Sequence, residues 1–267
     1  MMSQTTQRLN IPTIISVSLI AFGLESVVHE VLGHAVTAWL TGVSVVLISS
    51  TAMQTEGGSK LVAASGPIAN LLFGVVAYLF LRRLTVFNSL RLFLWIFAFS
   101  NLFLCTGYIL YSGLMNFGDA AIVISGFHPV WIFRGLLIAC GALGYRYSVR
   151  LGAGDLLNLI RKGTLQQEDI SRILYSSCAA GVLLYLIASF FNPVSPSLIL
   201  YDGVSEASGV LIGFTLVAQV VMRLSRDYAG PEASRPGSIR FSLAWVASAS
   251  VFTVLFMIFL GRGVRLR

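Results

Sequence analysis

The sequence predicts an all-α polytopic membrane protein of about six or seven transmembrane helices, with a short β-hairpin-like segment after the first. Three observations carry that expectation. Hydrophobic residues make up 56% of the 267 and charged residues only 11%, where a soluble domain has about 25% charged. Mean hydropathy is +0.84. The apolar residues also fall into runs close to the roughly 20 residues needed to cross a hydrocarbon core, with short polar clusters between them.

The first run, residues 11–40, follows Arg8 and so resembles the start of a signal peptide. No small-residue cleavage site follows it, and it reads as a retained first span. Next comes "VSVVLISSTAMQTEGGSK", whose β-branched run 43–48 and Gly57–Gly58 pair suggest a hairpin. The remaining spans are expected at 61–81, 92–114, 130–145, 173–191, 209–224 and 241–260. Residues 146–172 form the one sizeable polar connection, with room for a small interfacial helix and Thr164 as a cap for the next segment. No internal repeat or separate soluble domain is visible. Residues 1–125 carry the motifs described below, and 126–267 add further spans to one continuous membrane domain.

The net charge of +7 does not point to nucleic acid, because the basic residues form short clusters between apolar runs. Such clusters set orientation. Arg8, Arg82, Arg83, Arg91, Arg146, Arg150, Arg161, Lys162, Arg172, Arg223, Arg226, Arg235 and Arg240 fall on the N-terminal side. Lys60, Arg262, Arg265 and Arg267 fall on the other. Thirteen against four places the N-terminus in the cytoplasm and Asp119 towards the opposite face, in a multi-pass protein of the cell membrane. Cys105, Cys140 and Cys178 all lie in apolar stretches without a C-x-x-C; they read as buried small apolar residues rather than a disulfide framework.

The chemistry starts at "ESVVHEVLGHAV", residues 25–36, where a membrane span carries two glutamates and two histidines. An ionisable group at the bilayer centre costs about 2.5–3.5 kcal/mol on insertion scales, so it survives by pairing, lining a wet cavity or binding metal. His29 and His34 are five residues apart, not the four of H-E-x-x-H. At about 100° per residue, positions five apart in an α-helix diverge by about 140°. A π-type turn returns them to one face, and Gly33 is the residue best able to loosen the backbone there.

Two later stretches are also polar. In "AASGPIANLLFG", residues 63–74, Gly66 and Pro67 suggest an irregular entry into the membrane, and Asn70 needs a partner at its depth. A small-residue packing face explains the same glycines. In "YSGLMNFGDAAIV", Asp119 is the only acidic residue between Glu56 and Asp155. As a ligand it would complete a His, His, carboxylate set that leaves one zinc position open. His128, near Trp131, reads as interfacial. Arg134 reads as snorkelling or paired with an acidic neighbour, and Asn101 as bonded to an adjacent helix.

In order, the three stretches resemble the site-2 protease family of intramembrane zinc metalloproteases, which carries H-E-x-x-H, then G-P-x-x-N, then an aspartate in an N-x-D-G-like element. The match covers residues 28–123. Here the first motif has an extra residue and "NFGD" replaces the N-x-D-G order. The "H-E-x-x-G-H" spacing itself is similar to the zinc motif of dipeptidyl peptidase III, a soluble enzyme. The resemblance implies zinc as cofactor, His29, His34 and Asp119 as ligands, Glu30 as general base, and Asn70 as a substrate or oxyanion contact. It implies cleavage of peptide bonds in or near transmembrane segments of membrane-protein substrates, with the segment 43–48 offering its edge to an unwound substrate. The rival readings are a protease-like protein that binds clients or metal without cleaving, and a small transporter.

Overall fold

The computed structural model describes residues 9–193, 195, 197, 203–226 and 238–266. Arg8, Arg235 and Arg267, used above to orient the chain, lie outside the described residues. The protein is an all-α polytopic membrane protein with a small sheet at one end.

Asn10 opens helix α1 (Ile11–Val27) by accepting a hydrogen bond from the Thr13 amide at 3.0 Å, the usual work of an N-cap residue. The helix passes without a break into a π-helical segment, Val28–Ala35, and then into α2 (Val36–Thr41). Gly42, at φ +70°, ends it. Strands β1 (Val45–Ile48) and β2 (Met53–Thr55) pair as an antiparallel hairpin. The Gly57–Gly58 pair lies after β2 rather than in the hairpin turn. Helices α3 (Lys60–Leu81) and α4 (Ser89–Met115) follow, capped by Ser59 and Asn88. A short α5 (Asp119–Ile124) precedes α6 (Val130–Arg161), α7 (Gln167–Phe190), α8 (Val204–Leu224) and α9 (Leu243–Phe256). α9 ends in a second π-helical turn, Met257–Gly261, and strand β3 (Val264–Arg265) closes the chain.

Six helical spans among the described residues are long and apolar enough to cross a membrane. The seventh long helix, α6, which carries Arg134, Arg146, Arg150, Asp155 and Arg161, is not among them, yet it lies antiparallel along the whole of α4. Arg134 reaches the carbonyls of Gly113 and Leu114 at 2.9 and 2.7 Å, Gly141 abuts Leu110, Gly152 abuts Phe99, and Asp155 pairs with Arg91 at 2.7 Å. The polar connection expected at 146–172 is therefore mostly helix. Its apolar and small residues Ser148, Gly152, Ala153 and Leu156 face the bundle while Arg146 and Arg150 face out. A mean hydropathy cannot see that periodicity. The true connection is 162–166, and the cap of α7 is Gln166, boxed with Asp169, not Thr164. Arg134 pairs with helix-end carbonyls, not with an acidic side chain.

The phenylalanine-rich stretch of α4 is packing surface: Trp95, Phe99 and Phe103 are buried and Phe99 lies 4.9 Å from Trp95, ring to ring. Cys105 and Cys178 are buried, but Cys140 is exposed on α6. Gly66 and Pro67 do not interrupt α3, which runs through both. The sheet has the order β2-β1-β3. β1 is therefore paired on both sides, and the free edges belong to β2 and β3 rather than to the 43–48 segment; of the two, β2 walls the cavity described below. The chain end is tied in: Leu266 N donates to Val46 O at 2.9 Å and Ser50 N to Leu260 O at 2.8 Å, while the Asn192 side chain bonds Thr51.

Candidate metal centre

His29 and His34 both lie in the π-helical segment, and the wider turn sets their imidazoles on one side, ring centroids 4.8 Å apart and nearly perpendicular. Gly33 lets this segment approach α3. A Cβ there would fall 2.7 Å from the Gly66 Cα, and one on Gly66 would fall 2.5 Å from His34 Nε2 and 2.7 Å from His29 Nε2. What the glycine of the second motif provides is closeness to the two rings, not a helix break.

Asp119 arrives from the far end of α4. The chain leaves that helix through Asn116 (φ +54°) and Gly118 (φ +83°), and Asp119 is the first residue of α5. Its Oδ2 lies 3.1 Å from His29 Nε2 and 3.2 Å from His34 Nε2, and the two Nε2 atoms are 3.2 Å apart. The sequence-derived trio thus meets in one triangle, the only group of three or more such side chains with metal-ligating geometry among the described residues.

The opposite edge of each ring fixes its proton. His29 Nδ1 donates to Asn70 Oδ1 at 2.5 Å, and His34 Nδ1 donates to the Val62 carbonyl at 2.6 Å. The Asn70 amide nitrogen faces Asn101 Oδ1 at 2.8 Å and Glu25 Oε1 at 3.3 Å, which leaves its oxygen for His29. Asn101 Nδ2 in turn donates to Phe97 O at 2.7 Å. A line of amides anchored on α4 therefore places the His29 proton on Nδ1, and in the neutral rings both Nε2 lone pairs point into the triangle. Two bare nitrogens and a carboxylate oxygen at 3.1–3.2 Å repel unless a cation or a proton lies among them.

Glu30 is buried, lines the adjoining cavity, and has an Oε2 with no hydrogen-bond partner. The cavity, about 240 Å³, opens over His29, His34 and Asp119 and is walled by Met53 and Thr55 of β2. Asn70, expected to meet substrate, is fully buried behind His29 and outside the cavity wall. His128 is exposed and apart from the cluster. Glu25 is buried, with Tyr185 of α7 donating to its Oε2.

Two residues lay outside the sequence reading. Tyr108, on α4, stands edge-on to His29 with ring centroids 5.9 Å apart, and its hydroxyl would be 2.8 Å from a Cβ on Gly118. Glu206 reaches the cavity from α8. A carboxylate one turn ahead of an apolar run was the available signal for Glu206; for Tyr108 there was none. No family model matches the chain, and no curated protein or solved structure matches it either.

Proposed function

We propose that the protein is an intramembrane zinc metalloprotease of the cell membrane, akin to the site-2 proteases, which hydrolyses peptide bonds in or near transmembrane segments of other proteins. The observation that carries this reading is the convergence of two Nε2 lone pairs and a carboxylate oxygen beside an unpartnered buried glutamate. The donor set fits the ion. A tetrahedral site with bonds of 2.0–2.1 Å has ligand atoms about 3.3 Å apart, close to the separations of 3.1–3.2 Å here. The set has the His, His, carboxylate chemistry of catalytic zinc sites, with a cavity on its open side.

His29, His34 and Asp119 would hold the metal, and the Asp119 carboxylate offsets part of its charge where water is scarce. Zinc held there would supply Lewis-acid polarisation of a scissile carbonyl and would make a neighbouring water more acidic. Glu30 accepts the proton of the attacking water and delivers it to the amide nitrogen as the C–N bond breaks. Asn70 and Asn101 act on His29, keeping its Nε2 free of a proton. An extended substrate backbone pairs with the free edge of β2, which walls the cavity.

Metal analysis of the purified protein beside a His34→Ala variant, together with cleavage of a reconstituted membrane substrate, tests the reading. Zinc at one equivalent in the native protein, absent in the variant, with cleavage only in the former, is expected. Equal zinc in both would remove the metal centre, and zinc without cleavage would leave a binding protein.

A further inference from the structure

A groove of about 920 Å³ runs between α6 and α8, away from the metal centre. Arg146 and Arg150, one helical turn apart on α6, line it together with Arg223 in the last turn of α8. None of the three has a hydrogen bond or ion pair among the described residues, and no described carboxylate lines the groove. The other walls are apolar, including Val149, Leu157 and Leu216.

Depth says what such a groove meets. Arg91 bonds the Leu81 carbonyl, at the end of α3, and pairs with Asp155, so Asp155 marks the level where the helices end. Arg150 lies about 7–8 Å inward of it along the helix and Arg146 about 6 Å further. Long stems let both guanidinium groups rise towards that level, where Arg223 already sits. Arg223 and the extended Arg150 thus stand at headgroup depth with Arg146 below them, none neutralised among the described residues, and together with the apolar trough they are complementary to a lipid phosphate with its acyl chains below.

We propose that this groove is a binding site for an anionic phospholipid. A zwitterionic lipid brings its own cation next to the arginines; an anionic one does not. The trough continues, since Leu110, Tyr145 and Leu216 also line a second apolar cleft of about 650 Å³ between α4 and α8, which accommodates the chains. A membrane helix with one carboxylate answers one or two of these arginines and leaves the third without a counter-charge.

Native mass spectrometry of the full chain, released from nanodiscs of equal phosphatidylglycerol and phosphatidylcholine, tests this. Retention of phosphatidylglycerol should exceed that of phosphatidylcholine by about tenfold or more, as for multidentate charge-assisted contacts. Arg146→Gln/Arg150→Gln should erase the preference, Arg146→Lys/Arg150→Lys should keep most of it, and Arg83→Gln, on an exposed arginine outside the groove, should not change it. Equal retention of both lipids by the native protein, or an unchanged preference in the double glutamine variant, overturns the proposal. So does a bound polypeptide in place of lipid.

Discussion

A neutral histidine donates from one ring nitrogen and accepts at the other, and its neighbours decide which. Around His29 the decision is made two side chains away, by Asn101 through Asn70. Asn101→Ala should therefore weaken zinc binding about 10–100-fold, the usual effect of removing such support, as measured by competition with a chelator. Unchanged affinity would show that the amide line does not position the ring. Glu30 touches none of the three converging atoms within hydrogen-bond distance in the structure. Glu30→Gln should keep the metal and lower turnover of a reconstituted substrate by at least about 10²–10⁴-fold, the contribution of a general base. Loss of metal in that variant would make Glu30 a ligand instead.

At the scale of elements, the π-helical segment amounts to one residue inserted into an otherwise α-helical span. Leu32 sits in it, 43% exposed. Deleting Leu32 should return the segment to α-helix, leave the flanking turns in register, and place the histidines four apart, with zinc stoichiometry preserved. A folded deletion protein without metal would show that the wide turn itself is needed. Gly66→Ala separates propensity from packing: alanine favours the helix by about 1 kcal/mol, yet its Cβ would lie 2.5 Å from His34 Nε2. The variant should keep or gain thermal stability and lose zinc, read by metal analysis beside a melting curve.

For the whole molecule, seven long helices leave the two ends of the described chain on opposite faces. Leu9 bridges Ile239 next to the start of α9, whereas β3 joins the sheet beside the candidate metal centre. Most loop arginines and Lys162 lie on the Leu9 side, which the positive-inside rule predicts to be the cytoplasmic one. In a Cys140→Ser background, an impermeant thiol reagent applied to intact cells should label Glu56→Cys and not Lys162→Cys. The reverse pattern would invert the orientation. Tyr185 ties the later helices to the first span through Glu25, so the two halves of the chain share one buried polar network.

Sequence by itself determined the membrane class, four of the seven long helices to within about three residues and the ends of two more, whose starts at Gln167 and Val204 lie six and five residues earlier than expected, and the side chains of the candidate centre. Each is a local property: run length, composition, or an ionisable residue where hydrocarbon penalises it. Given that both histidines serve one site, their spacing also predicted the wide turn found between His29 and His34. What the tertiary structure alone decided was everything that depends on a facing surface. The charged half of α6 is helical because α4 lies against its small face. Asn70 turns to His29 instead of the cavity because Asn101 and Glu25 hold its amide nitrogen. β1 has no free edge because residues 264–265 pair with the side that β2 leaves open, so the edges fall to β2 and β3. These partners stand tens to hundreds of residues apart in the chain, and no local pattern names them.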